Sequence, residues 1–186
     1  MPVTEKTIAD RLKEAGYVTG LIGKWHLGNT PAMHPQQRGF TEFFGFLGGA
    51  HSYIQSAGIL RGTEPVKELD YTTDAFGREA VSFIDRHQKQ PWFLYLAFNA
   101  VHTPYQAPQD YLDRYKTIED PSRRAYAASA TAMDDQIGRV IAHVRTFFIA
   151  ESERAQDLFV GGQFVFGIEH DVLQDGGDRR RQALVL

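Results

Sequence analysis

An apolar segment that ends in a lysine and a histidine places the strongest constraint on the fold of this chain. Residues 17–22 are rich in strand formers and lead directly into the sequence Gly23-Lys24-Trp25-His26-Leu27-Gly28. Glycines close the segment, so we predict a short buried strand that ends in a loop. Alternate side chains of an extended chain share a face, which predicts that Lys24 and His26 point the same way while Trp25 is buried.

The periodicity on either side predicts a repeated helix-to-strand unit. Residues 4–15 show a helical pattern, with Thr4 as the N-cap and Gly16 just past the end. Residues 72–88 show a second one, capped by Thr72 or Thr73, ahead of a continuous apolar run at 92–98. Such a run is typical of a strand buried on both faces of a parallel sheet. We therefore predict an α/β fold with a mostly parallel central sheet flanked by helices.

A second histidine follows the second predicted strand. His102 lies in the sequence Asn99-Ala100-Val101-His102-Thr103-Pro104, where proline stiffens the loop. Because ligands bind at the carboxyl ends of strands in open α/β sheets, we expect Lys24, His26 and His102 to converge there. A fixed cation beside titratable imidazole rings suits the oxygens of an anionic substrate. The alternative is a set of side chains that only stabilise loops.

The remaining segments differ in how clearly they are patterned. Residues 28–70 hold seven glycines and no lasting periodicity, which is uncommon in a compact domain unless the stretch is functional. Residues 121–147 carry the clearest helical pattern, with an apolar stripe that includes Tyr126. Adjacent residues on a helix do not face one another, so we expect Asp134 and Asp135 to be solvated rather than metal ligands.

The composition limits the classes of partner. The 186 residues are 42% hydrophobic with a net charge of −3, which suits one soluble domain and gives no reason to expect nucleic acid. No apolar run approaches the roughly 18 residues needed to span a bilayer, and no signal peptide is visible after Met1. The absence of cysteine excludes disulfides and thiolate metal sites.

Several of these segments resemble the sulfatase family. Residues 7–17 followed by Gly23-Lys24-Trp25-His26-Leu27-Gly28 are similar to its second signature region, and His102-Thr103-Pro104 is similar to a later loop. The resemblance spans roughly residues 4–145. It implies an incomplete alkaline-phosphatase-like sandwich, with residues 1–148 as a middle portion of the catalytic domain and 149–186 as a divergent segment.

The resemblance also implies roles for individual residues. In the family, the lysine and histidine at the positions of Lys24 and His26 contact the sulfate and the catalytic aldehyde hydrate, and the histidine at His102 lies near the sulfate ester. Catalytic roles are implied for these three residues, with substrate binding by Lys24 and His102. Arg38 and His51 lie in segments that resemble the family's pocket mouth, so we expect substrate contacts there. A loop charge and a histidine bonded to backbone are the alternatives.

The family's nucleophile and metal ligands have no match. Sulfatases make formylglycine from Cys or Ser in a Cys/Ser-x-Pro-x-Arg motif and usually bind calcium. Glu119-Asp120-Pro121-Ser122-Arg123 imitates that motif but begins with glutamate, so we predict a loop that leads into the long helix. The family's Asp-Asn-Gly block after a strand is also missing: we predict a strand at 163–168, while Asp171, Asp175 and Asp178 suit a frayed acidic tail better than a cation site.

Three functions are compatible with these observations. The first is a fragment of a sulfuric ester hydrolase that, when intact, cleaves sulfate esters of aryl or sugar substrates and is periplasmic or secreted. The second is a phosphate or phosphonate monoester hydrolase of the same superfamily, and the third is a non-catalytic anion-binding remnant. We expect a sulfated small molecule or sugar as partner, no metal ligands in this chain, and no turnover by the 186 residues alone.

Overall fold

The described part of the chain contains four α-helices and eight strands. A computed structural model describes residues 2–152, 172–173, 179–180 and 182–186, with side chains described at 2–146 and 184–186. The helices are α1 Ile8–Glu14, α2 Thr72–His87, α3 Gln109–Asp113 and α4 Pro121–Ser152. The strands are β1 Val18–Lys24, β2 Glu42–Phe46, β3 Leu60–Arg61, β4 Glu64–Pro65, β5 Trp92–Ala97, β6 Val172–Leu173, β7 Arg179–Arg180 and β8 Gln182–Val185. The strand predicted at 163–168 and the aspartates Asp171, Asp175 and Asp178 lie outside the described residues.

The central sheet has six strands in the order β4-β3-β2-β1-β5-β8. Strand β1 pairs in parallel with β2 on one side and with β5 on the other, and β5 pairs in parallel with β8. The short strands β3 and β4 extend the sheet in antiparallel fashion. The predicted α/β class with a mostly parallel central sheet is therefore confirmed.

Helices cover both faces of this sheet. Alternate residues of the strands face α2 and α4, as period-two alternation requires. That larger core includes Ile22, Phe44, Leu94, Phe76, Phe83 and Val140. The intervening residues, among them Leu21, Phe43 and Phe93, form a second core with Ala9 of α1. The result is a three-layer sandwich.

Helix α1 begins later than the sequence pattern predicted. Thr7, not Thr4, is the N-cap: its hydroxyl accepts the N–H of Asp10 at 3.0 Å, and the Asp10 carboxylate accepts the N–H of Thr7 at 2.8 Å. This reciprocal capping box satisfies two N–H groups that have no partner within the helix. Ile8 is 65% exposed, whereas Ala9 is buried and Leu12 is partly buried against the same core.

Strand β2 is the main element that the pattern did not predict. It pairs with β1 along its whole length. Its aromatic residues alternate, with Phe44 and Phe46 on the α2 side and Phe43 on the α1 side. A central glycine and the lack of β-branched residues hid this alternation. The stretch 28–70 is therefore supported by sheet pairing and is not structureless.

Helices α2 and α4 also differ in detail from the prediction. Tyr71 is the N-cap of α2 and makes no side-chain cap bond, while Thr72 and Thr73 are buried within the first turn. At the start of α4, the Asp120 carboxylate accepts the N–H of Arg123 at 2.6 Å, so the segment that imitates the sulfatase motif is a helix cap. The buried stripe of α4 is rotated from the predicted one and consists of Ala128, Ala132, Gln136, Val140 and Val144.

Strand β5 is less enclosed than expected. Tyr95 remains 36% exposed, although we predicted burial on both faces. Helix α1 has only seven residues and covers the neighbouring part of that face, around Leu21 and Phe93. Strand β8, which the sequence pattern did not predict, pairs with β5 on its outer edge.

Two glycines allow the central strands to approach closely. Gly23 has a φ of +111°, and a Cβ added there would lie 1.9 Å from the carbonyl oxygen of Ala97 in β5. A Cβ added at Gly45 of β2 would lie 1.9 Å from the carbonyl oxygen of Gly23. Neither position has room for any side chain, so the parallel pairing of three strands depends on both.

The substitution Gly23→Ala tests this dependence. We expect it to lower the free energy of unfolding by about 3 kcal/mol or more, because a new methyl group meets backbone and the φ is unfavourable for alanine. Urea denaturation followed by circular dichroism measures the change. The control is Gly138→Ala on α4, where a Cβ meets nothing within 4 Å. That change should stabilise the helix by about 0.5–1 kcal/mol, and equal midpoints for the two variants would contradict the proposed close approach.

Candidate functional site

Three loops meet at the carboxyl-terminal edge of the sheet. Lys24 ends β1 and pairs with Phe46 at the end of β2, while Gly23 pairs with Ala97 at the end of β5. The loops that follow carry His26, His51 and His102 in turn. Parallel pairing thus places all three histidines and the lysine at one edge, where α/β sheets bind ligands. Their roles in binding or catalysis stay predictions.

The Lys24–His26 segment leaves the regular strand geometry. His26 has a φ of +54°, a left-handed conformation that is uncommon for residues other than glycine. Its N–H donates to the carbonyl of Leu47 at 3.1 Å, and its ring lies so close to Gly49 that a Cβ there would be 2.5 Å from Nε2. Trp25 is buried as predicted. The alternation that predicted a common face for Lys24 and His26 does not continue through this turn.

Lys24 provides the positive charge of the site. It is half-buried, and within the part of the chain that the structure describes its ammonium group has no hydrogen-bond or ion-pair partner. A lysine without a carboxylate partner keeps its full charge available to an anion. His26 is exposed beside it.

The His102 ring is held in one tautomer. Its Nδ1 lies 2.7 Å from the carbonyl oxygen of Thr103. Because a carbonyl oxygen only accepts, Nδ1 carries the hydrogen in this contact. The exposed Nε2 is therefore the atom that accepts a hydrogen bond in the neutral ring and donates one in the protonated ring.

A buried tyrosine that the sequence analysis missed holds the backbone of this loop. Tyr53 is 0% exposed. Its hydroxyl lies 2.8 Å from the carbonyl oxygen of His102 and 3.1 Å from that of Asn99, and it accepts the N–H of His102 at 2.8 Å. Burial raises the pKa of Tyr53 to about 12, so the hydroxyl remains neutral and able to donate. No local sequence signal marks a tyrosine for this role.

Two amide side chains complete the connection between the loops. The Nδ2 of Asn99 donates to the carbonyl of His51 at 2.7 Å. The Oε1 of Gln106 accepts from the Ser52 hydroxyl at 3.1 Å and from the Tyr53 N–H at 2.9 Å. The loop after β2 and the loop after β5 are therefore joined directly by hydrogen bonds, which positions the His102 loop against the loop that carries His51.

His51 lies at this edge but its ring is engaged with its own loop. The two ring nitrogens lie 2.5 Å and 2.9 Å from the carbonyl oxygens of Ser52 and Ala57. The ring also packs against Phe46, with centroids 5.0 Å apart. This geometry matches the alternative of a histidine bonded to backbone, and a substrate contact at His51 stays a prediction.

Arg38 lies at the opposite edge of the sheet from Lys24. Arg38 precedes β2, is 5% exposed, and donates to the carbonyl oxygens of Val3 at 2.8 Å and Glu5 at 2.6 Å. Its guanidinium group holds the amino-terminal segment, and the substrate contact expected at Arg38 stays a prediction. His87 also lies away from the site and contacts Glu42 at 2.5 Å, as expected for a helix-boundary residue.

The carboxylates of the described residues do not form a metal site. Asp134 and Asp135 are exposed, and Asp135 pairs with Arg114 at 2.9 Å. Among residues 2–146 and the described strands near the carboxyl terminus, no three acidic or histidine side chains are placed to hold an ion. The calcium that the family resemblance implies therefore has no ligand set in the described residues.

No described helix is long and apolar enough to cross a membrane.

The fold and the edge site together define a class of protein. The sandwich belongs to the alkaline-phosphatase-like fold, since its neighbours among solved structures are sulfatases of that fold. A family model described as Sulfatase matches residues 2–147. This chain belongs to the sulfatase family.

Individual relatives show how much of the family the chain spans. Arylsulfatase J of Mus musculus is 34% identical over 155 residues, which cover 75% of this chain and 26% of the relative. The crystal structure of Ps i-CgsB in complex with k-i-k-neocarrahexaose is 36% identical with a TM-score of 0.75, covering 79% of this chain and 38% of that one. The structure of BT4656 in complex with its substrate D-glucosamine-2-N,6-O-disulfate is 25% identical with a TM-score of 0.51, covering 63% and 23%. The chain spans less than two fifths of each.

Removal of the Tyr53 hydroxyl tests the connection between the loops. We expect Tyr53→Phe to lower the free energy of unfolding by about 1–3 kcal/mol, because buried backbone groups of Asn99 and His102 lose a partner. Urea denaturation measures this change. Tyr126→Phe, at a residue that is 45% exposed, is the matched control and should have little effect. Equal destabilisation by both variants would contradict the role of Tyr53.

The same hydroxyl predicts a pH dependence. The pKa of Tyr53 is raised from 10.0 to about 12 in the folded chain, so its stabilisation is complete below pH 10.0 and is lost as the pH rises towards 12. In Tyr53→Phe, the fall in stability across this window should be shallower. It should not vanish, because burial also raises the pKa of Tyr111 to about 12. Chemical denaturation at several alkaline pH values measures the slopes, and identical slopes would contradict the assignment.

Proposed function

We propose that this chain forms the sulfate-binding part of an enzyme that hydrolyses sulfate esters. One observation carries the proposal: the parallel strands β1 and β5 bring Lys24, His26 and His102 to one edge of the sheet in a sulfatase-family chain. An uncompensated ammonium group at the same sheet edge as two imidazole rings matches the charge of a sulfate group.

Lys24 is the residue that binds the anion. Its ammonium group has no partner among the described residues, so a sulfate oxygen does not have to displace a carboxylate. Charge-assisted hydrogen bonds to an oxyanion are among the stronger polar contacts. In the intact enzyme, Lys24 holds one sulfate oxygen and stabilises charge on the group attached to sulfur.

The histidines transfer protons on either side of that anion. The Nδ1 of His102 is committed to the Thr103 carbonyl, so Nε2 is the atom that donates a proton to the leaving ester oxygen. His26 is exposed next to Lys24, with its ring against Gly49. It assists the release of sulfate after the ester bond is broken.

A sulfated sugar is the proposed class of substrate. BT4656, one of the structural neighbours, holds a disulfated glucosamine as its substrate, and Ps i-CgsB holds an oligosaccharide. Arylsulfatase J supports an aryl sulfate as the alternative. A periplasmic or secreted location suits the intact enzyme.

The complete reaction needs groups that the described residues do not provide. Formylglycine supplies the nucleophile in the family and calcium lowers the cost of placing negative charge near it. The site described above therefore performs binding and proton transfer only. The phosphate and phosphonate hydrolases of the same superfamily also need a cation that binds the anion, as Lys24 does. A preference of the chain for sulfate or for phosphate therefore distinguishes a sulfate ester hydrolase from these enzymes.

Binding of inorganic sulfate to the 186-residue chain tests the proposal. We expect Lys24→Met to weaken the affinity about tenfold or more, because one charge-assisted contact is lost. Isothermal titration calorimetry with sodium sulfate measures the dissociation constant. Lys13→Met, at an exposed position on α1, is the matched control. Equal affinity in the wild type and Lys24→Met, or preference for phosphate over sulfate, would contradict the proposal.

The missing nucleophile predicts an inactive chain. We expect the purified 186 residues to release no product from an aryl sulfate above the rate of a Lys24→Ala variant. A chromogenic aryl sulfate assay measures this release. Turnover above that control would show that the chain carries a nucleophile that we have not identified.

A further inference from the structure

Two stacked tyrosines contact the loop that carries His102. The rings of Tyr53 and Tyr71 have centroids 5.9 Å apart and an interplanar angle of 26°. Tyr71 is 2% exposed, and its hydroxyl donates to the carbonyl oxygen of Gln106 at 3.0 Å. We propose that Tyr71 is a positioning residue that fixes which ring nitrogen of His102 carries the hydrogen in the neutral ring. The inference rests on the proposed function, in which His102 protonates the leaving ester oxygen.

The two tyrosine hydroxyls hold this loop at different points. Tyr53 bonds the backbone N–H and carbonyl of His102, whereas Tyr71 bonds the backbone of Gln106. The carbonyl oxygen of Thr103, which lies 2.7 Å from Nδ1 of His102, comes between these two anchors in the chain. A carbonyl group in a segment held at both ends has little freedom to turn away from the ring. The hydrogen on Nδ1 therefore depends on both anchors.

The far end of the loop is held by the side chain of Gln106 as well as by its backbone. Its Oε1 accepts from the Ser52 hydroxyl at 3.1 Å and from the Tyr53 N–H at 2.9 Å. Loss of the Tyr71 hydroxyl would leave these two bonds in place. We therefore expect the loop to stay folded without that hydroxyl, while its backbone between His102 and Gln106 gains freedom.

Packing makes Tyr71 a rigid anchor. Its ring belongs to a buried core with Tyr53 and with Ala128 and Ala132 of α4, both of which are 0% exposed. Side chains locked by packing hold a neighbouring functional group more precisely than mobile ones do. Burial also raises the pKa of Tyr71, so its hydroxyl stays neutral and able to donate.

A single tautomer of His102 matters for proton transfer. With the hydrogen on Nδ1, the exposed Nε2 is the atom that takes up and gives the proton. In the other tautomer the free lone pair would lie on Nδ1, towards the Thr103 carbonyl, and Nε2 could not take up a proton. Tyr71 therefore sets the fraction of rings that are competent for acid–base catalysis and leaves the charge of the site unchanged.

The substitution Tyr71→Phe tests the inference. Long-range ¹H–¹⁵N NMR spectra of the 186-residue chain, recorded in alkaline buffer where imidazole rings are neutral, distinguish the two tautomers of His102. In the wild type we expect the Nδ1–H form to exceed the Nε2–H form about fivefold or more, because one hydrogen bond favours it. In Tyr71→Phe this ratio should fall about threefold or more, since the Thr103 carbonyl is less firmly held.

The matched control is Tyr115→Phe. Tyr115 is half-buried against the same core as Tyr71, and its hydroxyl contacts the hydroxyl of Thr131 on α4 instead of the His102 loop. Loss of this hydroxyl should leave the wild-type tautomer ratio unchanged. An unchanged ratio in Tyr71→Phe, an equal fall in Tyr115→Phe, or a mixture of tautomers in the wild type would each overturn the inference.

Exchange of the hydroxyl proton with solvent examines the anchor without a variant. In the wild-type chain, the Tyr71 hydroxyl proton should exchange about tenfold or more slowly than that of Tyr126, which is 45% exposed. Isotope effects of deuterium on the ring-carbon signals of labelled tyrosine measure both rates. Equal rates would overturn the role of Tyr71 even if Tyr71→Phe does not fold.

Calorimetry with sodium sulfate separates the inference from the proposed function. Tyr71→Phe should bind sulfate within about twofold of the wild type, because Lys24 is unchanged. A larger loss would show that Tyr71 supports the whole sheet edge and not the His102 ring, which would overturn the inference. If the wild-type chain does not bind sulfate, the proposed function fails, whereas a failure of the tautomer test alone leaves it standing.

Discussion

The parallel pairing of β1 between β2 and β5 is the constraint on which the rest of the structure depends. It requires backbone contact at Gly23 and Gly45, where even a methyl group would meet a carbonyl oxygen at 1.9 Å. Because parallel strands all end at one edge, the loops that follow Lys24, Phe46 and Ala97 emerge together. This pairing places Lys24, at the end of β1, at the same sheet edge as the loops that carry His51 and His102.

Hydrogen bonds of buried and half-buried side chains then join the loops at this edge. Tyr53, Asn99 and Gln106 link the loop after β2 to the loop after β5, and none of them is titrated near neutral pH. Lys24 is left without an internal partner in the described residues. This neutral framework lies at the same sheet edge as Lys24 and leaves the charge of its ammonium group available to an anionic ligand.

The candidate site was predictable where the signal was local. Lys24 ends a strand, and His26 and His102 follow strands, whose apolar runs are evident in the sequence, so their arrival at one sheet edge could be expected. Arg38 could not be placed, because only the parallel direction of β2 shows that it precedes the strand at the far edge. Tyr53 was missed because its partners are backbone groups 46 and 49 residues away.

The amino-acid sequence by itself determined the α/β class, the approximate positions of α1, α2, α4, β1 and β5, and the family resemblance, since periodicity, caps and short motifs are properties of neighbouring residues. The tertiary structure alone decided that β2 joins the sheet, that α4 buries a rotated stripe, and that His51 bonds its own loop. These features depend on contacts between residues far apart in the chain, and local patterns carry no information about which distant groups will meet.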